Sequence, residues 1–299
     1  MRQCAITATA TPLHNPRYAQ KMYLEPRSGR KGQVRETYPF VELVLADPVG
    51  YRSNSQRARV ATEMWVTKNL YCPACPSPDL EPTPAGHRVA DFACPRCGEE
   101  YQLKSKRGHL GVRIIDAAYS EALRATERNA FPHLLLMQYV EIPGPVVDLQ
   151  AIPGAFITPT TLEPRKALSA TARRAGWIGC NIVISDLPQA ARVPVIMEGY
   201  PRPINKVRQD WHKWDFLRAK DASTRTWFSE IFKRIEDLKR EEFKLADVYA
   251  FEGDLRQIFP HNHFIRPKIR QQLQVLRDRG FLEFRERGRY RYLPSRKQR

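Results

Sequence analysis

The clearest chemical signal in this sequence is a set of four cysteines in two closely spaced pairs. Cys72 and Cys75 form the first pair, Cys94 and Cys97 form the second, and eighteen residues separate the pairs. Two C-x-x-C turns at this spacing are typical of a zinc ribbon, in which four thiolates bind one ion tetrahedrally. Because four sulfurs leave no open coordination position, we expect structural Zn²⁺ rather than a catalytic metal. A redox dithiol is the alternative interpretation, and the duplication of the pairs argues against it.

A carboxylate and a short polar strand lie on either side of the second cysteine pair. Asp91 precedes the pair, and Gln102, Leu103 and Lys104 follow it. Because side chains alternate along a strand, Gln102 and Lys104 are expected on one face and Leu103 in the core. Phosphodiester hydrolysis needs a hard divalent cation with oxygen ligands and an activated water. The pattern therefore predicts a Mg²⁺ site, although a solvated strand edge without a function would look the same.

The three predicted Mg²⁺ ligands are oxygen donors. They are the carboxylate of Asp91, the side-chain carbonyl of Gln102 and the backbone carbonyl of Leu103. Lys104 would orient or help to deprotonate the attacking water and offset charge on the attacked phosphate. The predicted catalytic residues are therefore Asp91, Gln102 and Lys104.

A basic loop carries residue types that contact DNA. It holds Arg173 and Arg174, followed by Trp177 between two glycines. Arginines suit phosphates, and a tryptophan suits an apolar group near a base. The alternative is a tryptophan buried as a core plug with two surface arginines beside it.

A predicted helix over residues 267–279 has the pattern of a recognition helix. Ile269, Leu273 and Leu276 recur at helical spacing and are expected to face the core. The outward residues of its first half are Arg270, Gln271 and Gln274. Glutamine can bond adenine and arginine can bond guanine in the major groove. A protein-binding domain with a charged outer face is the alternative.

Composition points to a nucleic-acid partner. The chain has 299 residues and a net charge of +17, and residues 264–299 hold twelve Lys and Arg against three Asp and Glu. An acidic membrane surface is the weaker option. No run of eighteen apolar residues and no export signal is recognisable, so we expect a cytoplasmic protein without membrane insertion. Cys4 and Cys180 are expected to be ordinary thiols in a reducing compartment.

The elements that must position these residues alternate between helices and strands. Helices are predicted over residues 55–69 and 115–129, and strands over 89–92, 101–105, 134–140, 147–152 and 193–197. Helices over 226–238, 245–258 and 267–279 and strands over 281–285 and 289–293 predict a winged helix. The expected domains are an N-terminal extension of weak or context-dependent order (1–40), a nuclease domain with the zinc site (41–198), a linker (199–224) and a winged-helix DNA-binding domain (225–299).

Several segments resemble the DpnI-like family of methyl-directed restriction endonucleases. They are residues 51–59 (YRSNSQRAR), 89–92 (VADF), 103–106 (LKSK), 171–181 (TARRAGWIGCN) and 269–278 (IRQQLQVLRD). The resemblance runs in collinear order from about residue 41 to 293. It implies an α/β fold, in which a restriction-endonuclease-like PD-(D/E)XK mixed-sheet core with an inserted zinc ribbon precedes an α+β winged-helix domain.

The resemblance also implies a substrate. The expected activity is that of a Mg²⁺-dependent type II deoxyribonuclease that cleaves double-stranded DNA at GATC sites carrying N6-methyladenine. Both domains would read the methylated sequence, with Trp177 packing against the adenine methyls. One methyl supplies only about 1 kcal/mol by transfer, so two readings in series discriminate better than one. We expect a monomer in solution, with two molecules on one cleaved duplex as the alternative.

One departure from the family motif concerns the metal site. The motif has an acidic residue where this chain has Gln102, and a neutral amide oxygen binds Mg²⁺ more weakly than a carboxylate. Mrr-like nucleases of the wider superfamily use Gln-x-Lys at this place, so the change does not imply an inactive enzyme. Glu63, Glu99 or Glu100 could assist. The rival hypotheses are a methyl-DNA-binding protein with an inactive nuclease domain and a winged-helix transcription factor with a structural ribbon.

Overall fold

The computed structural model describes residues 44–51, 53–84 and 90–294. The described residues all belong to one compact unit. The predicted extension over residues 1–40, like Val89 of the predicted strand 89–92, lies outside the described residues. Every helix in the described part of the chain is too short or too polar to cross a membrane.

The described part of the chain contains fourteen strands, seven α-helices and five short 3-10 helices. The strands are β1 (Val44–Leu45), β2 (Glu81–Pro82), β3 (Phe92–Ala93), β4 (Glu100–Arg107), β5 (Arg113–Ala118), β6 (His133–Tyr139), β7 (Gly144–Ile152), β8 (Leu162–Pro164), β9 (Gly179–Val183), β10 (Val193–Met197), β11 (Tyr200–Pro201), β12 (Glu242–Lys244), β13 (Leu282–Glu286) and β14 (Arg289–Tyr292). The helices are α1 (Asn54–Asn69), α2 (Tyr119–Glu127), α3 (Ile204–His212), α4 (Ala222–Asp237), α5 (Leu245–Tyr249), α6 (Glu252–Ile258) and α7 (Ile265–Asp278).

The largest sheet has eight strands in the order β11-β10-β7-β6-β4-β3-β2, with β1 added to β7. β4 and β6 are parallel, whereas β3 is antiparallel to β4 and β7 to β6. Because parallel neighbours need a long crossover, the chain passes through β5 and α2 between them. β5 belongs to a second, antiparallel sheet of order β5-β9-β8. The crossover between β4 and β6 therefore includes β5, a strand of the small sheet, and places it close to β4.

β6 is a central strand because its side chains are apolar on both faces. Leu134, Leu135, Leu136 and Met137 are 0–1% exposed, as expected for a strand covered on both sides. The predicted strands over 134–140 and 193–197 are confirmed as β6 and β10. The helix predicted over residues 55–69 is confirmed as α1, which buries Trp65.

The predicted helix over residues 115–129 is wrong in its first part. Arg113–Ala118 form β5, and the helix begins only at Tyr119. Ile115, the first residue of the predicted helix, is 62% exposed, whereas Ile114 and Asp116 are buried. Pairing of β5 with β9 holds this segment extended, so a tertiary ladder overrides the local helical pattern.

The C-terminal part, from residue 222, is an α+β domain of helices α4–α7 and a sheet of order β12-β14-β13. The single helix predicted over 245–258 is two helices, α5 and α6. The next helix is confirmed as α7, and it ends before Gly280, whose φ of +75° favours glycine. The two predicted strands are confirmed as β13 and β14.

The segment 199–224, which its composition predicts to be a linker, is folded onto the core. It contains α3, and Val207, Trp211, Trp214 and Leu217 are 0–2% exposed. Of its two prolines, Pro201 lies on the short strand β11 and Pro203 is the N-cap residue of α3, so neither interrupts a helix. This segment is therefore not a free tether.

An aromatic cluster joins the first part of the described chain to the C-terminal part. Trp214 stacks on Phe281 with ring centroids 4.8 Å apart and an interplanar angle of 4°, and it meets Phe156 edge-on at 4.9 Å. Phe228 and Phe232 of α4 lie against the same indole at 6.4 and 6.0 Å. Such ring pairs contribute about 0.5–1.5 kcal/mol each beyond the area that they bury.

Arg225 ties α4 to the same core. It is 1% exposed and donates to the carbonyl of Ala155 at 3.1 Å and to the carbonyl of Thr126. A buried guanidinium with carbonyl partners is costly to disrupt, because its charge would remain without compensation. The two parts are thus joined by polar as well as aromatic contacts.

Candidate active site

The hairpin of β3 and β4 positions the three predicted catalytic residues. Phe92 pairs with Tyr101 in antiparallel register, so Asp91 falls opposite Gln102 one step farther along. The Asp91 carboxylate accepts a hydrogen bond from the N–H of Leu103 at 2.7 Å. The N–H of Asp91 donates to the carbonyl of Tyr101 at 2.9 Å. Asp91 is therefore held against β4 by both its backbone and its carboxylate.

Gln102 and Lys104 point in the same direction from β4, as strand alternation predicts, and both contact Asp116. Nε2 of Gln102 donates to Oδ1 of Asp116 at 3.0 Å, and Nζ of Lys104 donates to the same oxygen at 2.7 Å. Nζ also donates to the carbonyl of Ile115 at 3.1 Å. The side chains of Lys104 and Asp116 are 16% and 5% exposed. Because removing one partner of a buried ion pair costs about 3–5 kcal/mol, this contact fixes Lys104 in place.

Asp116 is a site residue that no sequence motif indicates. It lies on β5, in the stretch assigned to a helix, where its burial could not be foreseen. The alternation of buried Ile114 and Asp116 with exposed Ile115 is the signal of a strand. An acidic residue on the buried side of a strand requires a partner, and Lys104 is that partner.

The side-chain oxygen of Gln102 fits the role of a cation ligand. Because Nε2 faces a carboxylate, the orientation of the amide is set by its hydrogen bond. Oε1 is then buried and has no hydrogen-bond partner among the described residues. A buried carbonyl without a partner costs about 1–3 kcal/mol, and hard cations such as Mg²⁺ take oxygen ligands of this kind. The residues at this place therefore fit Mg²⁺.

Glu63, on α1, is the acidic residue that approaches Asp91. Both residues line a cleft of about 470 Å³, together with Arg59 and Lys68. Burial raises the pKa of Glu63, the nearby Arg59 opposes the rise, and the Asp91 carboxylate adds to it. Glu63 thus adds a second carboxylate to the side of the hairpin that carries Asp91.

The four predicted zinc ligands come together at the tip of the same hairpin. Their sulfurs all lie within 4.8 Å of one another, with 3.7 Å between Cys72 and Cys97 and 3.5 Å between Cys75 and Cys94. A tetrahedron with Zn–S bonds of about 2.3 Å has edges of about 3.8 Å. Burial raises the pKa of Cys72 and Cys97, whereas the N–H groups of Cys97 and Arg96 outweigh burial at Cys94 and lower its pKa, which favours a thiolate at Cys94. This cluster could bind zinc.

Contacts outside the cluster hold both cysteine pairs. Arg208 of α3 donates to the carbonyl of Cys72 at 3.2 Å. After the second pair, Glu99 accepts hydrogen bonds from Nε2 of His133 at 2.6 Å and from Arg218. Nδ1 of His133 accepts a backbone N–H, and burial lowers the pKa of this histidine to about 4, so the ring is neutral with its proton on Nε2. Glu99 therefore supports the cysteine cluster.

The predicted DNA-binding loop starts from the small sheet that holds Asp116. β9 pairs with β5 in a register that sets Cys180 opposite Asp116, and the loop runs immediately before β9. Arg173 and Arg174 in this loop are exposed. The β-ladder thus connects the loop to the strand that contacts Gln102 and Lys104.

Trp177 is neither fully buried nor free in solvent. Its ring lies so close to Gly179 that a Cβ at that position would come within 2.9 Å of the ring. The guanidinium of Arg174 lies 4.8 Å from the ring centroid on a cation–π contact. Trp177 is thus only partly buried, unlike the fully buried core residue of the alternative interpretation. Arg174 covers part of its ring.

α7 presents the three predicted base-reading residues to solvent. Its buried residues include Ile269, Leu273 and Leu276, each at 0% exposure. Arg270, Gln271 and Gln274 are exposed. Arg270 also donates to the hydroxyl of Tyr249 at 3.0 Å, which orients its guanidinium. The amphipathic pattern thus identifies the outward face of the helix correctly.

Phe264, at the start of α7, is not anticipated by the sequence pattern. Its side chain is 70% exposed, and its N–H donates to Oδ1 of Asn262 at 2.8 Å. It lies outside the helical repeat of apolar residues, so the periodic pattern does not identify it. A large exposed ring at the start of the predicted recognition helix is a candidate contact residue.

Comparison with known families accounts for nearly all of the described chain. The family model of the DpnI, Dam-replacing family matches residues 42–220, and the model of the Dam-replacing HTH domain matches residues 223–292. The first match alone covers more than half of the sequence. It includes the cysteine cluster, the β3–β4 hairpin and the arginine–tryptophan loop, and the second includes α7. The chain therefore belongs to the DpnI, Dam-replacing family and carries the C-terminal helix-turn-helix domain of that family, which indicates DNA as its partner.

Proposed function

We propose that this protein is a Mg²⁺-dependent type II endonuclease that hydrolyses phosphodiester bonds of double-stranded DNA at sites containing N6-methyladenine. The observation that supports hydrolysis is the arrangement of Asp91, Lys104 and the partnerless Oε1 of Gln102 on one hairpin. This arrangement supplies oxygen ligands and a positioned cation in a basic protein of a DNA-targeting family. The proposed domain architecture is a PD-(D/E)XK core followed by a winged helix.

Each residue of the hairpin has a separate task in the proposed mechanism. Asp91, Gln102 and the carbonyl of Leu103 would hold Mg²⁺, which supplies Lewis acidity at the phosphate and a more acidic water when it is bound. Lys104 would orient the attacking water and offset the charge that develops on the phosphate. Its contact with Asp116 keeps Nζ in one position, so little reorganisation accompanies the reaction. Zn²⁺ at the four cysteines is structural in this proposal.

The proposed recognition site is GATC with N6-methyladenine. In the nuclease part, Arg173 and Arg174 contact phosphates, and Trp177 packs against the adenine methyl once Arg174 has moved to the backbone. In the C-terminal domain, the outward residues of α7 read base edges in the major groove. They are Arg270, Gln271 and Gln274.

A methyl-DNA-binding protein without nuclease activity is the second candidate function. The observation that favours it is Gln102, which gives the cation site one negative charge fewer than the family motif does. Such a protein would bind methylated DNA and leave it intact in Mg²⁺ or Mn²⁺.

Digestion of matched plasmids separates the two functions. Plasmid methylated at GATC adenines is expected to be cut in Mg²⁺, whereas the same plasmid without methylation stays intact. Sequencing of the ends then gives the site and the cut position. Gel shifts on methylated DNA without cleavage in either metal would instead establish the binding protein.

The exposed ring of Phe264 is expected to add to discrimination by the C-terminal domain. Phe264→Ala should lower the ratio of affinities for methylated and unmethylated GATC duplexes about fourfold, the equivalent of about 0.8 kcal/mol for one apolar carbon. Fluorescence anisotropy with the two duplexes measures this ratio. Phe284→Ala is the matched control, because Phe284 is 50% exposed in the same domain but lies on β13. An equal change of the affinity ratio in both variants would rule out a role of Phe264 in recognising the methyl group.

A further inference from the structure

Asp116 makes the contacts that distinguish this site from one with an acidic residue at position 102. Its Oδ1 accepts hydrogen bonds from both Gln102 and Lys104, at 3.0 and 2.7 Å. It comes from β5 of the small sheet, whereas its two partners lie on β4 of the large sheet. With 5% of its side chain exposed, its charge is compensated by these protein groups and not by solvent.

The contact with Asp116 decides which end of the Gln102 amide faces the cation site. A carboxylate accepts hydrogen bonds, so it selects the NH₂ end of the amide. The carbonyl end must then point away, and Oε1 is indeed buried without a partner among the described residues. Without Asp116 the amide could present its NH₂ group, which repels a cation.

The same contact would place two carboxylates together if position 102 were acidic. A glutamate there would bring an oxygen to about the 3.0 Å that separates Nε2 of Gln102 from Asp116. Like charges at such a distance disfavour each other strongly. An amide at position 102 and a carboxylate at position 116 are therefore compatible. Together the two side chains carry one negative charge, and it lies on Asp116.

We propose that Asp116 is a positioning residue for Gln102. In this arrangement Asp116, on β5, carries the negative charge that the family motif has at position 102. It turns Oε1 of Gln102 towards the cation and holds Nζ of Lys104. This inference rests on the proposed function for the identity of the site, and it adds a residue and a charge arrangement to it. It predicts that an acidic residue at 102 is useful only after Asp116 has lost its charge.

A charge-exchange cycle tests the pair. Asp116→Asn is expected to lower the cleavage rate of methylated plasmid at least about a hundredfold and Mn²⁺ affinity about tenfold. The double variant, in which Gln102→Glu is added to Asp116→Asn, should have a Mn²⁺ affinity within about threefold of the wild type. Its cleavage rate should be at least about tenfold higher than that of Asp116→Asn alone. Gln102→Glu alone should cleave more slowly than the wild type. Electron paramagnetic resonance of free Mn²⁺ gives the affinity without any need for activity.

The controls separate this inference from the proposed function. Asp148→Asn is the matched variant, because Asp148 accepts from Gln150 at 2.9 Å in a similar contact on β7, and it should leave rate and affinity unchanged. Thermal melting and zinc content confirm that each variant is folded. If the double variant is no better than Asp116→Asn in both readouts, the matched pair is refuted even when the wild type cleaves. If the wild type does not cleave but Mn²⁺ affinity follows the cycle, the pair stands and the nuclease function fails.

Discussion

Replacement of Lys104 by alanine is expected to lower the cleavage rate of methylated plasmid at least about a thousandfold, with binding to the same DNA retained. General acid–base assistance is worth about 10²–10⁴-fold, and loss of a positioned charge at a transition state costs about 10²–10³-fold. Quenched-flow or gel assays under single-turnover conditions give the rate, and anisotropy gives the affinity. The ammonium of Lys104 is the cation held deepest at the hairpin, at 16% side-chain exposure.

Two further variants show whether the loss of activity comes from the missing charge of Lys104 or from misfolding. Lys104→Ala leaves the buried Asp116 without its ion pair, so Lys104→Gln is tested beside it, because the amide keeps a hydrogen-bond donor and removes only the charge. Lys106→Ala is the matched control, since Lys106 lies two residues along the same strand and is exposed. It is expected to cleave within about threefold of the wild type. Full activity of folded Lys104→Gln would rule out the catalytic role.

Loss of one zinc ligand is expected to have the largest effect on stability. Structural zinc contributes about 10–16 kcal/mol in small zinc domains, as much as the whole stability of an ordinary protein. Cys97→Ser should therefore eliminate bound zinc, lower the melting temperature by more than about 10 °C and abolish cleavage. Cys97 is the exposed member of the cluster, so the exchange itself disturbs little packing. Elemental analysis and calorimetry measure the two physical effects.

The activity loss would act through the geometry of the hairpin. Cys94 follows β3 and Cys97 precedes β4, so the cysteine cluster sets the turn between Asp91 and Gln102. Cys180→Ala is the control, because Cys180 is a buried cysteine outside the cluster, and it should retain one zinc per chain. A Cys97→Ser protein that retains zinc and melts like the wild type would disprove the structural metal site.

The parts of the fold that are predictable from sequence are those whose pattern is decided locally. Leu134–Met137 of β6 are uniformly apolar, and α7 repeats Ile269, Leu273 and Leu276 on one face, so both elements are recognised correctly. Residues 113–118 are not, because their apolar spacing fits a helix until β9 provides a partner strand. The segment of α3 is misassigned for a related reason. Its prolines are visible in the sequence, but the burial of Trp211 and Trp214 depends on distant residues.

The candidate site divides along the same line. Cys72, Cys75, Cys94 and Cys97 are recognisable because their ligand spacing is confined to two short turns. Strand alternation likewise indicates that Gln102 and Lys104 share a face. Asp116 and Glu63 reach the hairpin from other elements, β5 and α1. Their proximity is a property of the crossover and of helix packing, which no local pattern encodes. Phe264 is visible only as an exposed ring once α7 is in place.

The aromatic cluster around Trp214 has a consequence for how such proteins can recombine. The two family matches meet between residues 220 and 223, yet the rings of Phe156, Trp214 and Phe281 form one packed group across that boundary. A chimaera that joins the N-terminal part of one homologue to the C-terminal part of another inherits mismatched rings unless both parents share this group. In any such chimaera the two parts therefore have to match at these rings.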